Sequence, residues 1–299
     1  SMHAYSMKDP IFFSGWKYEQ LKRSETGERF CIQCHSPVAY VTGEKLDNYS
    51  TAEELQSDPH LSTAIKEGVT CTVCHSFTGV SQTVKTDHDV AARAVYYMNP
   101  GEDIMYGSVK TPHQIESNEG SYSHSSEYNN LFQSSESCLP CHDFKIRGKD
   151  SEITFSEWNN IPQFGMSGQV SCQECHMPVK ADGTHNHEFA GVDIDLSQPI
   201  PIDSLQYKSV EKLLQKSVVL GFGGLIPEDA IKIQNNILNI PVKVKSITGH
   251  SMPSGTSFSR EAWLETIVTD NNGNLLFSSG VIKESTESLN LSDSLLLLY

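Results

Sequence analysis

The chain has 299 residues, enough for one large domain or two of ordinary size, and only 37% of them are apolar. Its net charge of −15 and its pI near 5.2 argue against nucleic-acid and anionic-membrane partners, since both require basic patches. No apolar run is long enough for a transmembrane helix. The low apolar share predicts that something other than side chains fills part of the interior.

The first 195 residues contain four copies of Cys-x-x-Cys-His, and every cysteine of the chain lies in one of them. The copies are unequally spaced, which argues against a simple tandem repeat. Between them, many Ser, Asn, Asp and Gly residues predict loops with few helices. One predicted helix begins in "TAEELQ", where Thr51 can act as the N-cap with Glu54 three residues later. The four pairs are Cys31 and Cys34, Cys71 and Cys74, Cys138 and Cys141, and Cys172 and Cys175.

Residues 196–235 are predicted to form a connector with a short amphipathic stretch, "SVEKLLQKS". Residues 236–299 alternate between apolar and polar side chains in "IPVKVKSI" and "AWLETIVTD", and "DNNGN" has the composition of a hairpin turn. This pattern predicts a small antiparallel β domain, sandwich-like, after the irregular N-terminal domain. The apolar run "SDSLLLLY" at residue 299 leads us to expect further chain that covers it, so the β domain is expected to be truncated.

The cysteine pairs have four interpretations. A disulfide framework rarely places every cysteine at i and i+3, and a thioredoxin-like site explains one pair. Zinc is the stronger rival, because two pairs make a Cys₄ site. The histidine after each second cysteine favours type c haem, in which two thioethers hold the porphyrin and the adjacent imidazole binds iron. The predicted proximal ligands are His35, His75, His142 and His176.

Four haems of this kind are therefore predicted, and their large apolar rings would replace the missing side-chain core. Haem c is attached outside the cytoplasm, so the mature protein is expected to be periplasmic or extracellular.

Six-coordinate iron requires four more ligands. Eight histidines remain, and methionine is the less favoured alternative; Met177 is too close to its own motif to reach the opposite haem face. His187 is preferred to its neighbour His185, and His113 is the reserve candidate. His60 and His88 are expected at the surface. The preferred distal ligands are His3, His124, His187 and His250.

These motifs and their flanks resemble the multihaem cytochromes c related to cytochrome c-554 and cytochrome c-prime. The resemblance includes "MHAYSMKDPIF", "EGVTCTVCHS", "HSSEYNNLFQSSESCLPCHDF", "VSCQECHMP" and "ITGHSMPSG", and extends over nearly the whole chain. It implies electron transfer through closely stacked haems. It also implies distal ligands at the corresponding histidines, which are the same four.

Three functions follow as hypotheses. The preferred one is an electron carrier that acts as a segment of a wire and whose partners are other redox proteins, extracellular acceptors or copies of itself. In a filament, His3 would reach a haem of the next subunit. The second is an oxidoreductase for a small nitrogen or sulfur compound with one five-coordinate haem, near His113, Arg93 and Tyr96. The third is an adhesive module in which haems only stabilise the fold.

Overall fold

The computed structural model describes residues 1–22, 27–82, 85–87, 90–99, 101–112, 124–162, 170–196, 199, 201–223, 231–255, 260–283 and 288–296. Within these residues, α-helices α1 to α9 span, in order, Pro10–Lys22, Gly27–His35, Pro37–Thr42, Ala52–Ser57, Thr63–Glu67, Cys71–His75, Thr154–Asn159, Cys172–His176 and Leu205–Leu214. Short 3-10 helices lie at His3–Tyr5, Asn130–Gln133 and Ser135–Ser137.

The strands of the described residues are short. Strands β1 to β16 span Phe77–Ser81, Lys85–Asp87, Val90–Ala92, Val95–Met98, Ile104–Gly107, Ser125–Tyr128, Phe144–Ile146, Lys149–Glu152, Val218–Phe222, Lys232–Gln234, Ile237–Asn239, Val242–Ser246, Thr266–Thr269, Leu275–Ser279, Ile282–Lys283 and Ser288–Leu289. One sheet has four strands in the order β2-β3-β7-β8, and the other described strands pair in twos. All pairs are antiparallel except β5–β6, which is parallel.

Three of the four motifs form one helical turn each, at the end of α2 and as α6 and α8, and the third follows the 3-10 helix Ser135–Ser137 directly. In a helix, positions i, i+3 and i+4 share one face. Both cysteines and the histidine of a motif therefore point the same way. The turn of α8 begins with a capping box, in which Ser171 and Glu174 bond each other's backbone N–H groups.

The main apolar cluster packs α1 to α6 together around Trp16, which is 2% exposed, and Met7, Leu46 and Leu55, which are fully buried. A second, smaller cluster joins α7 to the third motif through Leu139, Phe155 and Trp158. Both clusters lie in the N-terminal two thirds of the chain. The predicted helix at residues 52–57 is confirmed, and Thr51 accepts its capping bond from the Glu54 N–H.

Beyond residue 217, the described strands form separate two-stranded pairs with exposed apolar side chains, such as Phe222, Ile233 and Leu276. The predicted hairpin at "DNNGN" is confirmed, because β13 pairs with β14 and Asp270 accepts bonds from the turn. Strand β12 pairs with β9, which lies in the predicted connector. The sandwich arrangement stays a prediction. Among the described residues, no helix combines the length and apolarity needed to cross a membrane.

Candidate haem sites

Three of the four motif histidines face a second histidine across a gap of nearly constant width. The ring centroids of His75 and His187 are 6.2 Å apart, and those of His176 and His250 are 6.3 Å apart. His142 faces His3 with a centroid separation of 6.1 Å. Two imidazoles that bind one metal ion from opposite sides, with metal–nitrogen bonds of about 2 Å, have centroids about 6 Å apart. The residues therefore fit a group whose metal lies between them.

In four of these six imidazoles, Nδ1 lies beside a backbone carbonyl oxygen, which leaves Nε2 for a metal ion. Nδ1 of His75 lies 2.5 Å from the Tyr106 carbonyl oxygen, and Nδ1 of His176 lies 2.9 Å from that of Ala190. Nδ1 of His187 lies 2.9 Å from the His185 carbonyl oxygen, and Nδ1 of His250 lies 2.9 Å from that of Ser251. Metal-binding imidazoles typically donate their second N–H in this way, so Nε2 is left to bind the metal.

His35 differs from the other three motif histidines. Among the residues that the structure describes, no second histidine faces it, and its Nδ1 is buried without a hydrogen-bond partner. Phe12 stacks flat on its imidazole, with ring centroids 3.5 Å apart and planes 3° apart. The Ser6 hydroxyl donates to the carbonyl of His35 at 2.7 Å. The ring is thus held firmly, and burial lowers the pKa of His35 to about 4, which keeps it neutral.

His124 is the predicted distal ligand that the structure leaves without a facing motif histidine among the described residues. It is half-buried and its Nδ1 lies 3.0 Å from the Ser125 carbonyl oxygen, so its Nε2 is free. His185 is oriented by the Met177 carbonyl at 2.7 Å and likewise faces no described motif histidine. His60 is exposed, whereas His113 and His88 lie outside the described residues.

The N-terminal segment holds His3 inside its own chain. The carbonyl of His3 accepts bonds from the N–H groups of Ser6 and Val69, and Met7 is fully buried. Burial, followed by the neighbouring His142, lowers the pKa of His3 to about 3. A neutral imidazole is the form that binds a metal ion. The structure therefore places the His3 ring opposite that of His142 within one chain. The role of His3 between subunits stays a prediction.

His142 has a carboxylate near its Nδ1, unlike the other three motif histidines. Oε1 of Glu152 lies 3.9 Å from this nitrogen and accepts the Thr154 N–H at 3.1 Å. Burial alone would lower the pKa of His142, but the Glu152 carboxylate raises it overall. Next along the chain, Asp143 is almost fully buried and forms an ion pair of 3.0 Å with Arg93.

The loop that carries His250 is fixed to α7. The Glu157 carboxylate accepts the Ser254 hydroxyl at 2.6 Å and the Ser251 N–H at 3.2 Å. Gly255 has a φ of +73°, and a Cβ at this position would lie 2.7 Å from Oε2 of Glu152. The loop therefore reaches two sites at once, that of His176 and that of His142.

The sites meet at the third motif. The Cys172 N–H of the fourth motif donates to the hydroxyl of Ser135, which lies just before the third motif, at 2.9 Å. Phe30 and Phe144, beside the first and third motifs, have ring centroids 5.0 Å apart. Phe189 contacts the distal histidines of two sites, with ring centroids 4.7 Å from His3 and 6.0 Å from His187. Groups bound at these motifs would have neighbours on several sides.

Two residues singled out for an enzymatic site have structural partners. Arg93 pairs with Asp143, and the buried Tyr96 hydroxyl donates to the Gln33 carbonyl at 2.6 Å. The zinc alternative predicted a cluster of cysteines. Within the described part of the chain, no group of three His, Cys, Asp or Glu side chains is arranged to hold one metal ion.

Sequence reasoning missed Glu152, Glu157 and Phe189. Only Glu152 had a local signal, since "IRGK" between β7 and β8 has the composition of a tight hairpin turn. Arg147 and Gly148 there have φ values of 52° and 72°, and the hairpin folds Glu152 back onto His142.

No protein-family model matches the sequence, and no curated protein matches it. Among solved structures, the chain is similar to a penta-heme cytochrome c552 from Thermochromatium tepidum. The TM-score is 0.63 at 21% sequence identity, over 96% of this chain and 71% of that chain. The likeness shows that the fold is that of a multihaem cytochrome c.

Proposed function

We propose that the chain is an extracytoplasmic electron carrier that binds four haem c groups through its four Cys-x-x-Cys-His motifs. The observation that carries the proposal is the set of three histidine pairs with centroid separations of 6.1–6.3 Å, each containing one motif histidine. Haem c supplies one-electron chemistry, with a potential set by its axial ligands and surroundings. Two protein ligands on each of three irons leave no position there for a substrate.

The chain's own residues bring the sites close together. The hydrogen bond between Cys172 and Ser135 and the ring contact between Phe30 and Phe144 join the surroundings of the third motif to those of the fourth and first. Phe189 joins the third site to the second. Short separations between redox centres favour rapid transfer, so this arrangement supports a wire segment whose partners are redox proteins or extracellular acceptors.

The first motif still requires a second ligand for its iron, and two described residues bear on that ligand. His35 faces no described histidine, and His124 has a free, oriented Nε2 but no described partner. We propose that His124 of one copy binds the iron at His35 of the next copy. Head-to-tail contacts of this kind produce rings if the rotation between copies closes and filaments if it does not, and we propose the filament. The sequence suggested His3 for this role, but the closeness of its ring to that of His142 in the same chain favours His124.

The alternative function also starts from the absence of a described histidine opposite His35. If His35 carries a haem with no second protein ligand, that iron is five-coordinate and can bind nitrite or another small compound. The chain would then be an oxidoreductase whose other three sites supply electrons. His35 is held by Phe12 and Ser6, so its orientation does not depend on a second ligand.

The test combines haem counting, EPR spectroscopy and particle mass. Wild-type protein is expected to contain four haems per chain by pyridine haemochrome assay and four low-spin signals when assembled. Dilution to monomers should convert one signal to high spin. His124→Ala should give the same high-spin signal and prevent assembly, whereas His185→Ala, its matched control, should do neither.

Other outcomes of the same measurements would refute ligand exchange, favour the oxidoreductase or refute the haem content. Four low-spin haems in a dilute monomer would refute ligand exchange between copies. Loss of one low-spin signal in a His113→Ala monomer would then assign that ligand within the chain. One high-spin haem that binds nitrite even in assembled protein would favour the oxidoreductase. Fewer than four haems per chain would refute the proposed cofactor content.

A further inference from the structure

The four motif histidines differ in what lies beside their second ring nitrogen. His75 and His176 each have a neutral backbone carbonyl, at 2.5 and 2.9 Å. The Nδ1 of His35 is buried without a hydrogen-bond partner among the described residues. Among the residues that the structure describes, a carboxylate lies beside His142 only, that of Glu152 at 3.9 Å. Four motifs of the same Cys-x-x-Cys-His pattern thus have three kinds of surroundings at the histidine Nδ1.

We infer that Glu152 is a positioning residue that lowers the reduction potential of the haem held by His142, relative to a site with a neutral neighbour. The inference rests on the proposed function, since it requires His142 to bind haem iron. At 3.9 Å the contact is longer than a hydrogen bond, so the carboxylate acts mainly as a buried negative charge. A negative charge close to the iron stabilises its oxidised state, which carries one more positive charge.

The carboxylate is fixed at this distance from three sides. Glu152 is 8% exposed, and its Oε1 accepts the Thr154 N–H at 3.1 Å. Gly255 lies against Oε2 so closely that a Cβ would be 2.7 Å away. Ser254 precedes Gly255 in the chain, and its hydroxyl lies 2.8 Å from that of Thr154, which ties the two groups that hold the carboxylate to each other. Because the charge is buried, water and salt screen it far less than an exposed charge.

The position of this site increases the effect. The third motif lies between the first and the fourth, because Ser135 accepts the Cys172 N–H at 2.9 Å and Phe144 packs on Phe30 with ring centroids 5.0 Å apart. A low potential at such a junction would make it a step that electrons pass through without residing there. Charges that are far from all four haems would shift the four reduction potentials by similar amounts, so they could not make one potential differ from the others.

The test is a spectroelectrochemical titration followed by EPR, on haem-loaded protein. Glu152→Gln keeps the size and the acceptor for Thr154 but removes the charge. Asp150→Asn is the matched control, because it removes an exposed charge from the same strand, two residues away. The haem at His142 is identified as the one whose low-spin signal is lost in His3→Ala.

In Glu152→Gln we expect the reduction equilibrium of that one haem to shift about tenfold toward the reduced form, which is about 59 mV for one electron. Glu152→Asp should restore part of the shift, and Asp150→Asn should produce little. If Glu152→Gln does not fold, Glu152→Asp draws the carboxylate back from His142 by one carbon–carbon bond while keeping its charge, and should shift the same haem in the same direction by a smaller amount.

The inference is overturned if no haem responds more to Glu152→Gln or Glu152→Asp than to Asp150→Asn, while all four low-spin signals persist. That result differs from failure of the proposed function, which would appear as missing haems or as a His142 site without a low-spin signal in the wild type.

Discussion

On the proposed ligation, replacement of Glu157 by alanine should weaken the attachment of His250 to iron without touching either ligand. Glu157 accepts the Ser254 hydroxyl at 2.6 Å and the Ser251 N–H at 3.2 Å, and these bonds fix the loop that presents His250 to His176. A hydrogen bond to a charged group contributes about 1.5–3 kcal/mol. Glu157 is partly exposed, so we expect about 1.5 kcal/mol for the two bonds together.

A loss of about 1.5 kcal/mol corresponds to roughly a tenfold rise in the population with His250 detached, since 1.4 kcal/mol is a factor of ten. A six-coordinate iron binds an external ligand only after one protein ligand has left. The rate of carbon monoxide binding to the reduced protein, measured by stopped flow, should therefore rise about tenfold at one haem. The exposed Glu211→Ala is the control and should leave this rate unchanged.

Two results would refute this reasoning. A binding rate for Glu157→Ala equal to that of the control would show that Glu157 does not restrain the loop. A His250→Ala variant that keeps four low-spin haems would show instead that His250 is not the ligand. The two failures are distinguishable because only the second concerns the ligand assignment.

Gly68→Ala should destabilise the fold by about 2–4 kcal/mol, because a Cβ there collides with the Ser6 hydroxyl and φ is +87°. Gly43→Ala also has a positive φ but meets no atom within 4 Å, so it should cost only about 1 kcal/mol; equal losses in thermal unfolding would contradict the collision. Asp143→Asn should cost about 1–2 kcal/mol in denaturant, since it weakens a 3.0 Å ion pair with half-exposed Arg93. A double-mutant cycle with Arg93→Leu should show a coupling of at least about 0.5 kcal/mol, and simple additivity would rule the pair out.

Local sequence determines the shape of three of the motifs. Cysteines at i and i+3 and a histidine at i+4 share one face of the helical turn that these motifs form, so their common direction follows from five adjacent residues. The same holds for the Thr51 cap and for the turn at "DNNGN", where short-range bonds decide the structure. Prediction works where the interacting groups are neighbours in the chain.

The pairing of ligands could not be predicted in this way. His3 and His142 are far apart in sequence, and nothing local indicates that they face each other. The choice of His187 over His185 depends on which one the loop presents to His75, although both are fixed by carbonyls. Strand β9 was assigned to a connector because its partner β12 lies 20 residues further along the chain. Long-range contacts decide each of these cases.

The packing around the third motif has a consequence for biosynthesis. In the folded chain, Ser135 accepts the Cys172 N–H at 2.9 Å, and the rings of Phe30 and Phe144 lie 5.0 Å apart, so the surroundings of three motifs are in contact. On the proposed cofactor content, an enzyme that attaches haem would reach these motifs more easily while the chain is still open. Attachment is therefore expected to precede the final folding of this region.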